Sequence, residues 1–104
     1  MENSARVTVW NKPELPTEAA IAAILDAEGL SYERWSNPPL DVYFAHSHPF
    51  NKVIYVVEGA ITFDLPKEKL SLTLQVGDRL DLPAGVIHEA TISTLGVACF
   101  EAHY

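Results

Sequence analysis

Past Ser31 the chain alternates apolar with polar residues over most of its length. "AITFDL" sets Ile61, Phe63 and Leu65 at every second position, and "KLSLTLQV" does the same with Leu70, Leu72, Leu74 and Val76. A period of two is that of a strand with one buried face. "KVIYVVEG" is rich in β-branched residues and reads as a further strand. "SYERW", closed by "NPP", "LDVYFAH", "RLDLP", "HEATIS" and "VACFEAHY" complete the set. The punctuation between them is Glu58-Gly59, "DLPKEKL", Gly77-Asp78 and "PAGV". Short strands with turns at intervals of about eight to twelve residues predict a sandwich or barrel. This parity predicts burial of Val42, Phe44, Ile54, Val56, Ile61, Phe63, Leu72, Leu74 and Leu82.

Only "LPTEAAIAAILDAEGL" has helical spacing. Ile21, Ile24 and Leu25 share a face, Thr17 is the expected N-cap, Glu18 suits the positive end of the helix dipole, and Gly29 is the expected stop. Ahead of it, "RVTVW", Arg6 to Trp10, reads as a short strand. Such a strand either adds to the edge of a second copy, giving a homodimer, or closes its own sheet.

Composition narrows the function. The 104 residues make one domain, and a single cysteine, Cys99, excludes an internal disulfide. Cys99 lies in an apolar strand and reads as a small core residue. A net charge of −7 argues against a nucleic-acid surface. No apolar run approaches the ~20 residues of a membrane span. "MENSARVTVW" lacks the basic and apolar regions of a secretory signal, so the expected location is cytoplasmic.

Two segments carry chemistry. His46 and His48 stand two apart at a strand end, where both rings point to one face. The same parity continues to Lys52, Ile54 and Val56. The second segment, "GDRLDLPAGVIH", ends at His88. The spacing of Gly77, Pro83, Gly85 and His88 resembles the second motif of the cupin superfamily, and "HSHPFNKVIYVVEG" resembles the first through His46, His48 and Gly59. The two cover about residues 44 to 92. The resemblance implies an all-β fold, a double-stranded β-helix or jelly-roll barrel with one short N-terminal helix. Residues 1–36 would pack on a barrel formed by residues 37–104. It further implies a metal inside the barrel, held by His46, His48 and His88.

The sequence departs from the family at one ligand and one neighbour. Lys52 stands where the glutamate ligand is expected, and Ile92 where the second motif often ends in asparagine. A protonated lysine has no lone pair for a metal. It repels one by several kcal/mol unless it deprotonates or swings aside, to Glu101 or Asp41 for example. Several readings follow. Three imidazoles can hold Zn²⁺, Ni²⁺, Fe²⁺ or Mn²⁺ in a small metalloenzyme, such as a dioxygenase or isomerase. Alternatively, a metal-free pocket binds a small anion through Lys52. In a third reading Lys52 is a nucleophile towards a carbonyl compound. The bland reading is a hydrogen-bonded barrel interior with no ligand. In the ligand-binding readings the pocket residues are Lys52, Phe44, Phe50 and Ile54. His103, near the end, reads as solvated, and Trp35 as packing the N-terminal segment to the barrel.

Overall fold

The computed structural model describes residues 4–104. Among these residues seven strands and one helix run in the order β1 (Arg6–Thr8), α1 (Glu18–Ala27), β2 (Tyr32–Asn37), β3 (Val42–His46), β4 (Lys52–Leu65), β5 (Leu70–Gln75), β6 (Arg79–Leu82) and β7 (His88–His103). The pairing is antiparallel throughout, in the order β1-β6-β4-β7-β2, with β5 added to β4 and β3 added to β7. β1 pairs with β6 of the same chain and forms one edge of the sheet.

β4 and β7 are long enough to run through both layers of the folded sheet. The first part of β4 pairs with β6 and the end of β7, while its second part pairs with β5 and the start of β7. Ile54 and Val56 from the first part meet Ile61, Phe63 and Leu65 from the second in one core, which also takes in Leu74, Leu80, Leu82, Ile92 and Cys99. The sheet is thus folded over on itself into a jelly-roll barrel. Glu58-Gly59, expected as a turn, is instead a bent stretch inside a continuous strand. The register slips between Val56 and Glu58 and again between Gly59 and Ile61, and positive φ at Gly59 and Gly96 lets the two long strands bend where they cross. For the same reason "HEATIS" and "VACFEAHY" merge into β7.

Alternate residues of these strands face opposite ways. Ile54 and Val56 point into the barrel, while Val53, Tyr55 and Val57 point outwards, where Ile21 and Leu25 of α1 cover them. The helix starts where its cap predicts. Thr17 Oγ accepts a hydrogen bond from Ala20 N at 3.1 Å. Replacing Thr17 with alanine should cost about 1 kcal/mol in denaturant unfolding. At the other end Gly29 takes positive φ, and Glu28 receives two hydrogen bonds from Arg79, at 2.7 and 3.0 Å, which tie the helix to β6.

The burial expected from parity holds for Ile54, Val56, Ile61, Phe63, Leu74 and Leu82, and partly for Leu72. It fails on β3, where Val42 is 48% and Phe44 84% exposed. The cause is a register shift. Tyr43 faces Ala90 and His46 faces His88, so three steps along β3 match two along β7. The extra residue turns Phe44 away from the interior. Among the described residues no helix is long and apolar enough to cross a membrane.

Candidate metal centre in the barrel lumen

Three strand ends bring the imidazoles together. His46 closes β3, His88 opens β7 directly opposite it, and His48 lies in the short connection before β4. Ring centroids are 4.4 Å apart for His46 and His88, 4.7 Å for His46 and His48, and 5.3 Å for His48 and His88. One ligand nitrogen from each lies within 4.8 Å of the others.

The backbone fixes two of the tautomers. His46 Nδ1 lies 2.6 Å from the Phe44 carbonyl oxygen, and His88 Nδ1 lies 2.9 Å from that of Val86. A carbonyl only accepts, so each Nδ1 carries the proton and each Nε2 keeps its lone pair. Such outer hydrogen bonds orient histidines that ligate metals. His48 Nε2 is buried and has no hydrogen-bond partner. A polar atom buried without a partner costs roughly 1–3 kcal/mol, and a bound cation would remove that cost.

The lumen is a cavity of about 260 Å³, bounded by these histidines, Lys52 and Glu101, and by the apolar faces of Trp35, Tyr43, Ile54, Ile61, Phe63 and Ala90. Lys52 swings to Glu101, with Nζ 3.3 Å from the carboxylate and side chains 12% and 15% exposed. Glu101 also accepts from Trp35 Nε1 at 3.0 Å and from His103. Asp41, the other candidate partner for Lys52, accepts from Asn37 and from Val42 N instead.

Charge and burial set the protonation states. Burial lowers the affinity of His48 for a proton, and Lys52 and the other two imidazoles lower it further. His88 is depressed first by burial, against the pull of the Val86 carbonyl, and then by His46 and Lys52. Burial alone would raise Glu101, but the bonds from His103, Lys52 and Trp35 together hold its carboxyl below the usual range. His48 and His88 are therefore biased towards the neutral form that a metal requires.

A stability profile follows. An unfolded chain protonates its histidines near pH ~6.5, while the folded lumen resists, so below that pH the unfolded state binds more protons. The contribution of His48 and His88 is complete above about pH 6.5 and falls away as pH drops towards their lowered folded values. The urea midpoint of metal-free protein should fall between about pH 7.5 and about pH 5.5. A flat or rising midpoint would contradict the depressed values.

Of the expected pocket residues, Lys52 and Ile54 line the lumen. Phe44 does not, because the shift in β3 turns it to solvent. Phe50 does not line the lumen either, but stacks on His48 with centroids 5.2 Å apart. His103, expected in solvent, is half exposed but bonds to Glu101 and stacks on Phe50. Trp35, expected only as packing, lines the lumen and anchors Glu101. Cys99 is buried in the core, and burial followed by the Glu101 charge pushes its thiol up to about 12, so it is no nucleophile.

No protein-family model matches the chain, and neither does any curated protein. Solved structures do. Acireductone dioxygenase from Bacillus anthracis, with cadmium ion in its active centre, superposes with a TM-score of 0.69 at 18% identity, over 98% of this chain and 79% of that one. A DUF861 family protein from Thermotoga maritima gives 0.67 at 13% identity, over 97% of this chain and 100% of that one. A cupin-2 domain protein from Shewanella frigidimarina gives 0.59 at 19% identity, over 70% and 68%. At these identities the likeness establishes the fold, which is that of a small cupin.

Proposed function

With a small cupin barrel as the premise, we propose that His46, His48 and His88 hold a divalent metal, at which the protein binds and transforms a small molecule, as a dioxygenase or isomerase would. The observation that carries the reading is the unpartnered, buried Nε2 of His48, set beside two imidazoles whose Nδ1 protons are already committed to the backbone. Such a set of neutral nitrogen donors suits Zn²⁺, Ni²⁺ or Fe²⁺ better than Mn²⁺, which prefers oxygen. A metal bound there supplies Lewis acidity towards a carbonyl or enol oxygen, or a point for O₂ to be activated.

The chain's own residues do the rest. Glu101 draws the Lys52 ammonium to itself, so the lysine can remain in the lumen beside a cation. The same pairing weakens the metal-free anion reading, because the two charges largely cancel when no metal is present. Trp35, Ile54, Phe63 and Ala90 give a ligand an apolar bed and limit its size. The cadmium-containing dioxygenase among the similar structures supports a metal in this fold.

Metal analysis of protein purified without an affinity tag, joined to a Zn²⁺ titration of wild type and His48→Ala, tests the reading. Wild type should carry or take up about one ion per chain, and the variant should bind at least tenfold more weakly. Absence of saturable binding in wild type would overturn the proposal.

A further inference from the structure

Three imidazoles leave a divalent ion with its full charge. In a lumen of this kind a carboxylate ligand would halve it, but the place for that ligand is occupied by Lys52. Among the described residues the one carboxylate that lines the cavity, Glu101, is committed to Lys52, Trp35 and His103. A loaded site therefore holds two uncompensated positive charges in a partly closed, largely apolar cavity, where charge is costly to leave unpaired. Neutral water does not offset it, and a water that gives up its proton would offset only one of the two charges. Lys52 adds direction to the demand. An ammonium has three donors, and among the described residues Glu101 is its only ion-pair partner. Lys52 lines the cavity together with the three histidines, so its ammonium stands beside any ligand bound there.

Resting on the metal reading above, we propose that the ligand of this lumen is a small carboxylate that binds with the metal and not without it, and that Lys52 is the residue that selects for its charge. The cavity sets the size. At about 260 Å³ it lies just below the ~300–1,000 Å³ of pockets for drug-sized molecules. The acid group belongs at the end where Lys52 and the histidines meet, and an apolar body belongs against Ile54, Ile61 and Phe63. Metal and carboxylate then bind cooperatively, and each must raise the other's affinity by the same factor.

The test pairs each acid with its uncharged twin of the same shape: benzoate with benzamide, and acetate with acetamide. Binding of each is measured calorimetrically to metal-free and to Zn²⁺-loaded wild type, and the Zn²⁺ affinity is measured with and without the acid. The expected result is at least tenfold tighter binding of one acid than of its amide to the loaded protein, no such preference in the metal-free protein, and an equal rise in Zn²⁺ affinity. Lys52→Met and the double variant Lys52→Met with Glu101→Gln, which leaves no buried charge unpaired, should keep Zn²⁺ and lose most of the preference for the acid. Loaded protein that binds neither acid better than its amide would overturn the inference while leaving the metal reading intact. So would a preference as strong in the metal-free protein. A wild type that takes up no Zn²⁺ at all would overturn both.

Discussion

Lys52→Glu should tighten divalent-metal binding by at least tenfold. The substitution removes a cation that shares the lumen with the three histidines and supplies an oxygen donor at the position where the cupin motif places a glutamate. Two unit charges ~4 Å apart interact by ~4 kcal/mol at an effective dielectric near 20, and a divalent ion doubles the figure before relaxation. Glu101 already offsets much of the lysine's repulsion in wild type, which is why only tenfold, ~1.4 kcal/mol, is expected as a minimum. The metal-free variant should meanwhile be less stable than wild type. Its new carboxylate faces Glu101 in place of an ammonium, and like charges at this range disfavour the folded state. Zn²⁺ should therefore raise the unfolding temperature of the variant more than that of wild type. Equal Zn²⁺ affinities by competition titration would mean that the Lys52 ammonium exerts no force on the metal.

Gly59→Ala should abolish folding or come close to it. A Cβ at this position would lie 2.0 Å from the carbonyl oxygen of Gly96 and 2.8 Å from its carbon. Both are backbone atoms of the strand that crosses β4 here, so no side chain can move aside. Positive φ adds ~1–2 kcal/mol for any L-residue. Relieving the clash means separating β4 from β7 at the bend that lets the barrel fold over its core. The loss should exceed about 5 kcal/mol, a large part of the roughly 5–15 kcal/mol by which domains of this size are stable. Gly85→Ala is the natural comparison. It carries a similar positive φ, but a Cβ there meets nothing within 4 Å, so it should show the backbone strain alone. Circular dichroism and urea unfolding separate the two. A Gly59→Ala protein with a cooperative transition near that of wild type would show that the crossing is loosely packed.

The strands that proved easiest to read are those whose environment is symmetrical along their length. In β4 the parity from Lys52 through Ile54 to Val56 holds because Lys52 to Tyr55 pair without a slip on both sides. The spacing from Gly77 to His88 was legible because each glycine and proline answers to a local backbone demand. β3 was misread for the opposite reason. Its single extra residue between Tyr43 and His46 is invisible in "LDVYFAH", and one residue is enough to exchange the two faces of a strand. The merging of two expected strands into β4 was likewise hidden, because a glycine at a bulge and a glycine at a turn look alike in sequence. Glu101 had a faint signal, a lone acid on the face that also carries Val97 and Cys99. Trp35 had none, since its place in the lumen depends on β2 pairing with β7, a contact across more than sixty residues of chain.

The indole of Trp35 also makes the lumen visible to light. It borders the cavity and donates its N–H to the carboxylate that holds Lys52, whereas Trp10, the chain's other tryptophan, lies on the outer side of the sheet beside the helix. Emission from Trp35 therefore carries information about the lumen, and that from Trp10 about the helix and its packing. A ligand seated against the indole changes its surroundings directly, and an ion with unpaired electrons at the three histidines quenches it. In a Trp10→Phe protein the indole emission, excited beyond the absorption of the four tyrosines, becomes a single-site optical probe, able to follow occupation of the barrel in real time without any added label.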